Sequence, residues 1–339
     1  MRIEQFDPRG DEQRLRVCHE MTLSGQPEDD PNAPPMSFGR FSGWWAYGYS
    51  GEPRQVWLAS DESGEPVGCY LLELPERENR TNGFVRLVVA RTARRRGLGT
   101  ALLAHAAGQA GRAGRTLLLS DTRVGSPGEP FAARVGARSG MREARRVLDV
   151  DASLHASLEA LKLAALRHAA GYSLRAWTGV TPDGLVDQTC ALYTAMGDAP
   201  HDEAIEAESW HADRLRAAEE RVIAQRTRWY SVAAIHDPTG EMAGLTQVNV
   251  EPEVPGWAFQ EMTAVTRRHR GHRLGLLIKV AMLSRLAADE PGIRQITTFN
   301  AVENEHMISV NAQLGHRISD YFQSYEIAVD AASKLAANA

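Results

Sequence analysis

Cysteines, long apolar runs and low-complexity segments are few or missing in this 339-residue sequence. The three cysteines, Cys18, Cys69 and Cys190, are far apart and odd in number, which excludes a disulfide framework and a CxxC metal or redox motif. No stretch approaches the roughly 18 consecutive apolar residues of a membrane span. The charged first residues lack the apolar core of a secretory signal. We therefore expect a globular cytoplasmic protein without a metal site.

The charge balance is slightly acidic, with 38 Lys and Arg against 43 Asp and Glu and a formal net charge of −5. This balance argues against partners that bind a broad basic surface, such as nucleic acid or an anionic membrane. At roughly 150 residues per domain, the length corresponds to two domains.

An internal repeat supports two domains. Val89–Leu103 (VARTARRRGLGTALL) aligns without a gap on Val265–Lys279 (VTRRHRGHRLGLLIK), 176 residues later, with five identities. Each copy follows a strand-like run and opens a helical run, so the same strand, loop and helix occur twice. We predict an N-terminal domain over 1–150, a linking helix over 151–171 and a C-terminal domain over 172–330.

A strand, a basic glycine-containing loop and a helix are typical of an anion site, because backbone N–H groups and the positive helix end point at one place. The two loops are Arg94–Gly99 and Arg270–Gly275. A solvated basic surface would explain one such loop, but the repetition in the same context favours a phosphate site. A dinucleotide fingerprint fits poorly, because the run from Gly97 lacks its third glycine and the second loop does not match it.

These features resemble the GCN5-related N-acetyltransferase (GNAT) superfamily, in particular its tandem two-domain members such as mycothiol synthase. The family loop, Q/R-x-x-G-x-G/A, binds the pyrophosphate of coenzyme A, and Arg94–Gly99 satisfies it. The resemblance implies an α/β fold with two tandem GNAT domains, each a mostly antiparallel mixed sheet flanked by helices. It also implies acetyl-CoA as the cofactor. The loops depart from each other in complementary ways, since Arg95 stands opposite Gly271 and Arg273 opposite Gly97, and a side chain in place of glycine would crowd the phosphate.

The resemblance also implies which residues bind the cofactor in each half. In the first half they are Val89, Arg94, Arg95, Arg96, Gly97, Gly99 and Thr100. In the second half they are Ala264, Val265, Arg270, Gly271, His272, Arg273, Leu274 and Gly275.

The second half carries further family residues. Asn300 and Asn304 lie in an NxxxNxxMxxxNxxLG stretch, where family members use an asparagine to hydrogen-bond the pantetheine arm. Capping or buried turn amides would explain these two residues equally well. The first half lacks them, which indicates a catalytic C-terminal domain and a degenerate or auxiliary N-terminal domain.

The resemblance suggests how acetyl transfer would work. In the family, a bulge in the fourth strand frees a backbone N–H for the thioester carbonyl, a role that falls to Val265 or its neighbours. A carboxylate on the same strand can take the proton of the amine, and Glu261 is the candidate base. A solvent-facing strand glutamate is the alternative. The 176-residue spacing matches Glu261 to Val85, so the first half lacks this carboxylate.

Many relatives use a helix tyrosine as the general acid. The residue at that position is Asn311, which could still hydrogen-bond the sulfur. His306 and Tyr321 are alternative proton donors, although both fit packing or surface positions.

The acceptor is expected near Met196–Trp210, where Asp198, Asp202 and Glu203 could receive a cationic amine or form an exposed acidic loop. The aromatic segment Phe41–Tyr49 could line an acceptor site in the first half or pack in its core.

We therefore predict an acyl-CoA-dependent N-acyltransferase that moves acetyl to a small-molecule amine by direct attack. The alternatives are a degenerate acyl-CoA-sensing or interaction protein, and an acyltransferase that uses aminoacyl-tRNA. The predicted partner is the amine acceptor alone, without nucleic acid or membrane, in a monomer or homodimer.

Overall fold

The structure, a computed structural model, describes residues 1–52, 54–198 and 204–335. These residues form two compact units. Unit 1 contains residues 1–142 (apart from 53), 204–206 and 320–335, and unit 2 contains residues 143–198 and 207–319.

Unit 1 is a mixed sheet with helices on both faces. Its helices are α1 (Glu12–Asp29), α2 (Phe38–Tyr47), α3 (Leu98–Arg112), α4 (Gly128–Arg134) and α10 (Val329–Ser333). Its strands are β1 (Arg2–Phe6), β2 (Arg54–Ser60), β3 (Pro66–Glu73), β4 (Asn82–Val89), β5 (Leu117–Arg123) and most of β12 (Arg317–Ala328). They lie in this order, and each neighbouring pair is antiparallel except β4 and β5, which are parallel.

Unit 2 repeats this plan. Its helices are α5 (Ala152–Leu166), α6 (Val186–Ala195), α7 (Ala212–Ala224), α8 (Leu274–Asp289) and α9 (Glu305–Gln313). Its strands are β7 (Tyr172–Thr178), β8 (Arg228–His236), β9 (Glu241–Val250), β10 (Trp257–Val265), β11 (Gln295–Ala301) and most of β6 (Arg138–Asp149). They lie in that order, with β10 and β11 as the parallel pair.

The last strand of each sheet comes from the opposite half of the sequence. In unit 1, β12 pairs with β5 through Phe322 and Arg123. In unit 2, β6 pairs with β11 through Glu143 and Ala301. Each completing strand therefore lies far along the chain from the strand it pairs with, although β6 directly precedes α5 of unit 2. The boundaries given above for the sequence domains stay a prediction.

Local sequence explains where the helices begin and which way they face. Asp151 caps α5 by accepting the backbone N–H of Leu154 at 2.9 Å. Helix α8 is apolar on almost every turn, and its Leu277 and Ile278 are completely buried in the core that it forms with α5 and the central strands of unit 2. In unit 1, α3 contributes the buried Leu102 in the same way.

None of the described helices combines the length and the apolar character needed to cross a membrane.

Candidate active site

Each unit has a gap between its two parallel strands. Strands β4 and β5 pair only over Asn82–Phe84 and Leu117–Leu119, and β10 and β11 only over Trp257–Phe259 and Gln295–Thr297. Beyond these residues each pair diverges towards the loop that begins α3 or α8. Such a gap leaves backbone N–H and C=O groups of both strands available to a ligand.

The two basic loops fold alike. A 3₁₀ turn follows each strand. The Nε of Arg94 then donates to the carbonyl oxygen of Val89 at 3.3 Å, and the Nε of Arg270 donates to that of Val265 at 3.4 Å. The repeat in the sequence is therefore also a repeat in structure.

The complementary exchange of arginine and glycine follows from the backbone. Both exchanged positions are left-handed in both loops, with φ of 65° at Arg95, 81° at Gly97, 88° at Gly271 and 51° at Arg273. Glycine adopts this conformation most easily, and each loop uses it at only one of the two positions. A Cβ at Gly97 or Gly271 would meet no heavy atom within 4 Å, so crowding there could come only from a bound group.

The helices that follow these loops begin without a capping side chain. The N-cap residues are Gly97 for α3 and Arg273 for α8, and neither makes a side-chain capping bond. Because the first N–H groups of a helix have no partner inside it, they remain directed at the loop together with the positive helix end. Both helix starts can therefore hold an anion.

Acidic residues neutralise part of the first loop. The guanidinium of Arg94 lies 2.7 Å from Asp29 and 3.0 Å from Glu28, at the end of α1. Arg91 also pairs with Glu28, at 2.6 Å. These ion pairs reduce the positive charge that the loop of unit 1 offers to a phosphate.

The start of α3 is also more crowded than that of α8. A Cβ on Gly99 would lie 3.2 Å from the ring of Phe131, whereas a Cβ on Gly275 would meet Val265 and Val310 at 3.9 Å. The aromatic ring occupies space in unit 1 that smaller side chains leave open in unit 2.

Strand β10 has a bulge at Glu261. Its register against β9 shifts between Gln260 and Met262, so Glu261 is an extra residue on the strand. Ala264 and Val265 continue the regular ladder. The bulge in this strand is thus at Glu261, and the role of Ala264 and Val265 as donors to a carbonyl oxygen stays a prediction.

The same register corrects the match between Glu261 and Val85. Val85 pairs with Leu72 in a ladder without a shift, and Gln260 pairs with Val248, which lies 176 residues after Leu72. Val85 is therefore the counterpart of Gln260. Glu261 has no counterpart in unit 1, because the constant sequence spacing ignores the inserted residue.

Glu261 is half-buried and hydrogen-bonded, unlike a solvent-facing strand glutamate. The buried Asn249 donates from Nδ2 to Oε1 of Glu261. Next to it, Nε2 of Gln260 donates to the carbonyl oxygens of Gln247 at 2.7 Å and Met262 at 3.0 Å. The Met262 carbonyl also accepts from the hydroxyl groups of Thr246 and Thr263, so several donors hold the strand at the bulge.

A polar layer continues from Glu261 across this face of the unit 2 sheet. The Tyr193 hydroxyl donates to Oε1 of Gln247 at 2.5 Å, and Nε2 of Gln247 donates to Oγ of Ser231 at 3.1 Å. Gln247 and Ser231 are paired and buried. Their counterparts by register are Leu71 and Val56, an apolar pair.

Asn300 and Asn311 belong to one hydrogen-bonded chain. Nδ2 of Asn311 donates to Oδ1 of Asn300 at 2.7 Å, and Nζ of Lys279 donates to Oδ1 of Asn311 at 2.9 Å. Asn311 is completely buried and Asn300 half-buried. The amide of Asn311 is therefore engaged inside the unit, and Asn300 is the member of the chain at the end of β11.

Sequence reasoning missed Lys279, although a lysine within the apolar run LGLLIKVAML is a signal. Burial lowers the pKa of Lys279 from its usual 10.5 to about 7. Burial, followed by the nearby Lys279, lowers the pKa of His316 to about 3, so this imidazole is neutral.

Other predicted residues have more ordinary positions. Asn304 is the N-cap of α9, with Oδ1 accepting the N–H of Met307 at 3.2 Å, which agrees with the capping alternative. His306 is exposed on the first turn of α9 in unit 2. Tyr321 is exposed in unit 1, on β12.

The acceptor residues predicted near α6 can be followed only in part. Asp202, Glu203 and the side chain of Asp198 lie outside what the structure describes. The aromatic segment of unit 1 packs in a core, with Phe41 and Trp45 buried and their rings stacked 4.6 Å apart. That core covers one face of the unit 1 sheet.

A ring cluster adjoins the second loop. The Tyr172 hydroxyl is 2.8 Å from Nδ1 of His269, and its ring centroid is 5.3 Å from that of His272. Burial is the main cause that lowers the pKa of His269. The corresponding residues of the first loop are Ala93 and Arg96, so the two loops rest on different side chains.

Comparisons with known proteins agree with this geometry. Residues 52–135 match the family model of the acetyltransferase (GNAT) domain. A solved tandem GNAT protein from the clavulanic acid biosynthesis pathway is 28% identical, with a TM-score of 0.79 over 97% of this chain and 98% of its own. A GCN5-related N-acetyltransferase from Sphaerobacter thermophilus is 14% identical, with a TM-score of 0.64 over 97% of this chain and 95% of its own. No curated protein matched.

Each α/β unit has two parallel strands that diverge towards a helix without a capping side chain. This repeated plan is the fold of a tandem acetyltransferase. Residues 52–135 match the GNAT domain family, and the whole chain has the fold of a tandem GNAT protein. The family and fold class predicted from the sequence are thereby confirmed.

Proposed function

We propose that the protein is an acyl-CoA-dependent N-acyltransferase that transfers acetyl from acetyl-CoA to a small-molecule amine, and that unit 2 carries out the transfer. The observation that carries this proposal is Glu261, an inserted, half-buried carboxylate on the strand that borders the gap. The match to the GNAT domain family and the tandem GNAT fold support acyl transfer from coenzyme A in general.

The second loop fits the diphosphate of coenzyme A. Gly271 is left-handed with open space where a Cβ would lie, and α8 begins without a capping side chain. Residues 270–275 would hold the diphosphate through backbone N–H groups and arginine charge. Asn300 and Asn304 are the proposed partners of the pantetheine arm. When bound, the cofactor would supply a thioester: the amine nitrogen would bond to its carbonyl carbon, the carbon–sulfur bond would break, and the released thiolate would take up the second proton that the amine loses.

The residues of β10 then have separate roles. Glu261 takes the proton from the incoming ammonium, so that a neutral amine faces the carbonyl carbon. Asn249 holds the carboxylate of Glu261 in place, because its Nδ2 donates to Oε1. Backbone N–H groups of β10 from Glu261 to Val265, beyond the residues that pair with β11, would stabilise the developing oxyanion, a contribution of about 2.7–4 kcal/mol per donor.

The polar layer indicates what else the acceptor carries. Gln247, Ser231 and Tyr193 present amide and hydroxyl groups on the same face as Asn249. An acceptor amine that also bears hydrogen-bonding groups would suit this face better than a purely apolar amine.

A direct test is to assay a panel of polar amines with acetyl-CoA while measuring released thiol. We expect turnover with at least one amine and one cofactor bound per chain by calorimetry. Binding without turnover of any amine would reject an enzyme and favour an acyl-CoA-sensing protein. RNA retained through purification at moderate salt would favour transfer from aminoacyl-tRNA.

Matched variants test which unit binds the cofactor. Gly271→Asp places a carboxylate at the left-handed position of the second loop, and Gly97→Asp does the same in the first. Because the charge repels a diphosphate, we expect Gly271→Asp to abolish thermal stabilisation by acetyl-CoA and Gly97→Asp to leave most of it. The reverse pattern would assign the working site to unit 1.

A further inference from the structure

A buried lysine is the one charged end of the hydrogen-bonded chain behind the gap in unit 2. Lys279 is 2% exposed on α8, Asn311 is completely buried on α9, and Asn300 lies on β11 beyond Thr297, the last residue that pairs with β10. This hydrogen-bonded chain of side chains runs from the interior of the unit to β11, the strand that borders the gap.

The ammonium gives this chain a direction. A lysine ammonium has donors and no acceptor, so it requires Oδ1 of Asn311 to face it. Nδ2 of Asn311 must then point away, and it donates to Oδ1 of Asn300. With Oδ1 of Asn300 accepting from Asn311, its Nδ2 is the side-chain group that remains a donor for another partner.

Unit 1 has the same elements without this chain. The 176-residue spacing of the repeat places Lys279 on α8 at the position of Leu103 on α3. The loop before β12 aligns in sequence with the loop before β6. Counting back the same number of residues from each loop matches Asn311 to Ala132. Both counterparts are buried and apolar. The fold therefore does not require a charge or an amide at these positions.

Retaining a charge there has a cost. Removing an ammonium from water is unfavourable, and a lone hydrogen bond to a neutral amide offsets only part of the penalty. A leucine, as in unit 1, would fill the position without that penalty. The lysine is thus better explained by what it does to Asn311 and Asn300 than by stability.

We propose that Lys279 is a positioning residue: through Asn311 it fixes the amide of Asn300 so that Nδ2 donates to a carbonyl oxygen of the pantetheine arm. This inference rests on the proposed function, because it needs coenzyme A in the gap of unit 2. Lys279 itself touches neither the cofactor nor the amine.

The test is a double-mutant cycle on coenzyme A affinity, measured by calorimetry at pH 6 in the full chain. We expect Lys279→Met and Asn300→Ala each to weaken binding about tenfold, the usual effect of one lost hydrogen bond of this kind. The double variant should also lose about tenfold, because each change removes the same contact. Leu103→Met, the matched change in unit 1, should leave the affinity unchanged.

Steady-state kinetics separate positioning from damage to the fold. Lys279→Met should raise KM for acetyl-CoA with little change in kcat, whereas a partly unfolded variant would lose kcat in proportion to its inactive fraction. If Lys279→Met unfolds, Asn311→Asp is the second variant: its carboxylate keeps the lysine paired but cannot donate to Asn300, so affinity should still fall about tenfold.

Two results would overturn the inference. A hundredfold loss in the double variant would mean that Lys279 and Asn300 act independently. Wild-type affinity in Asn311→Asp would mean that the direction of the chain is irrelevant. If the wild type binds no coenzyme A, the proposed function has failed. If the wild type binds coenzyme A and either of the two results above is found, the inference alone has failed.

Discussion

The two units have opposite environments on corresponding faces of their sheets: apolar in unit 1 and polar in unit 2. In unit 1, Val56 and Leu71 are buried in an apolar cluster with Leu15 and Phe41 of the covering helices. In unit 2, the paired counterparts of Val56 and Leu71 are Ser231 and Gln247, which are equally buried but joined by hydrogen bonds to each other and to Tyr193.

This difference distinguishes a face packed with hydrocarbon from one that keeps buried polar groups. Burying an aliphatic side chain stabilises a fold by about 1.5–3 kcal/mol, whereas a buried amide or hydroxyl contributes little and requires a partner. Unit 1 follows the first course and has no carboxylate like Glu261. The working site proposed for unit 2 therefore coincides with the face where polar groups replace buried hydrocarbon.

The largest effect should come from Glu261, the feature of unit 2 for which unit 1 has no equivalent. We expect Glu261→Gln to lower kcat by about 10²–10⁴-fold, because a neutral amide cannot take the proton of the amine. Affinity for coenzyme A should stay unchanged, since Glu261 lies away from the basic loop. Stopped-flow detection of released thiol, together with calorimetry, measures both.

A shorter strand sharpens the same point. Deleting Glu261 would remove the bulge and give β10 the register of β4, so it should abolish turnover while unit 2 still folds and binds coenzyme A. Full activity in this deletion, or in Glu261→Gln, would show that the inserted carboxylate is not the base.

The next effect concerns stability, and its direction is opposite to that on function. The double change Lys279→Leu and Asn311→Ala copies the residues of unit 1 into unit 2. We expect it to raise the free energy of unfolding by about 1–4 kcal/mol at pH 6, because it replaces a buried charge by hydrocarbon. Urea unfolding of both proteins measures the difference, and a loss of stability would contradict it.

The gain should depend on pH in a defined way. The folded pKa of Lys279 is about 7 and its usual value is 10.5, so between these the unfolded chain binds more protons than the folded one. The contribution of Lys279 to wild-type stability is therefore lost as pH falls from 10.5 to 7, and the advantage of the variant should shrink as pH rises through that range. With only three lysines in the sequence, carbon-13 labelling of lysine followed by NMR can titrate Lys279 directly.

The comparison also separates what sequence patterns predict from what they do not. The strand, loop and helix repeat and both basic loops were predictable, because periodicity and local residue types determine them. The exchange of β6 and β12 was not, because pairing between distant strands leaves no local pattern. The match of Val85 to Glu261 was wrong for a similar reason. Register is set by the neighbouring strand, and the constant spacing ignored the inserted residue, so Val85 was matched to Glu261 instead of to Gln260. Lys279 ended the aligned repeat, and its contact with Asn311 became visible only when α8 and α9 were brought together.

The smallest expected effect compares the arginines at the left-handed positions of the loops. Arg95→Gly and Arg273→Gly each remove a side chain from a residue with positive φ, so each should stabilise its unit by up to about 1 kcal/mol.

The effects of these two changes on cofactor binding should differ. Arg273 is proposed to lie beside the diphosphate, and its loss should weaken coenzyme A binding several-fold, more at low salt than at high salt. Arg95 belongs to the loop whose charge Glu28 and Asp29 already reduce, and its loss should leave affinity unchanged. Equal losses in both variants would mean that the two loops bind the cofactor alike, and the asymmetry between the units would then be confined to the polar face and Glu261.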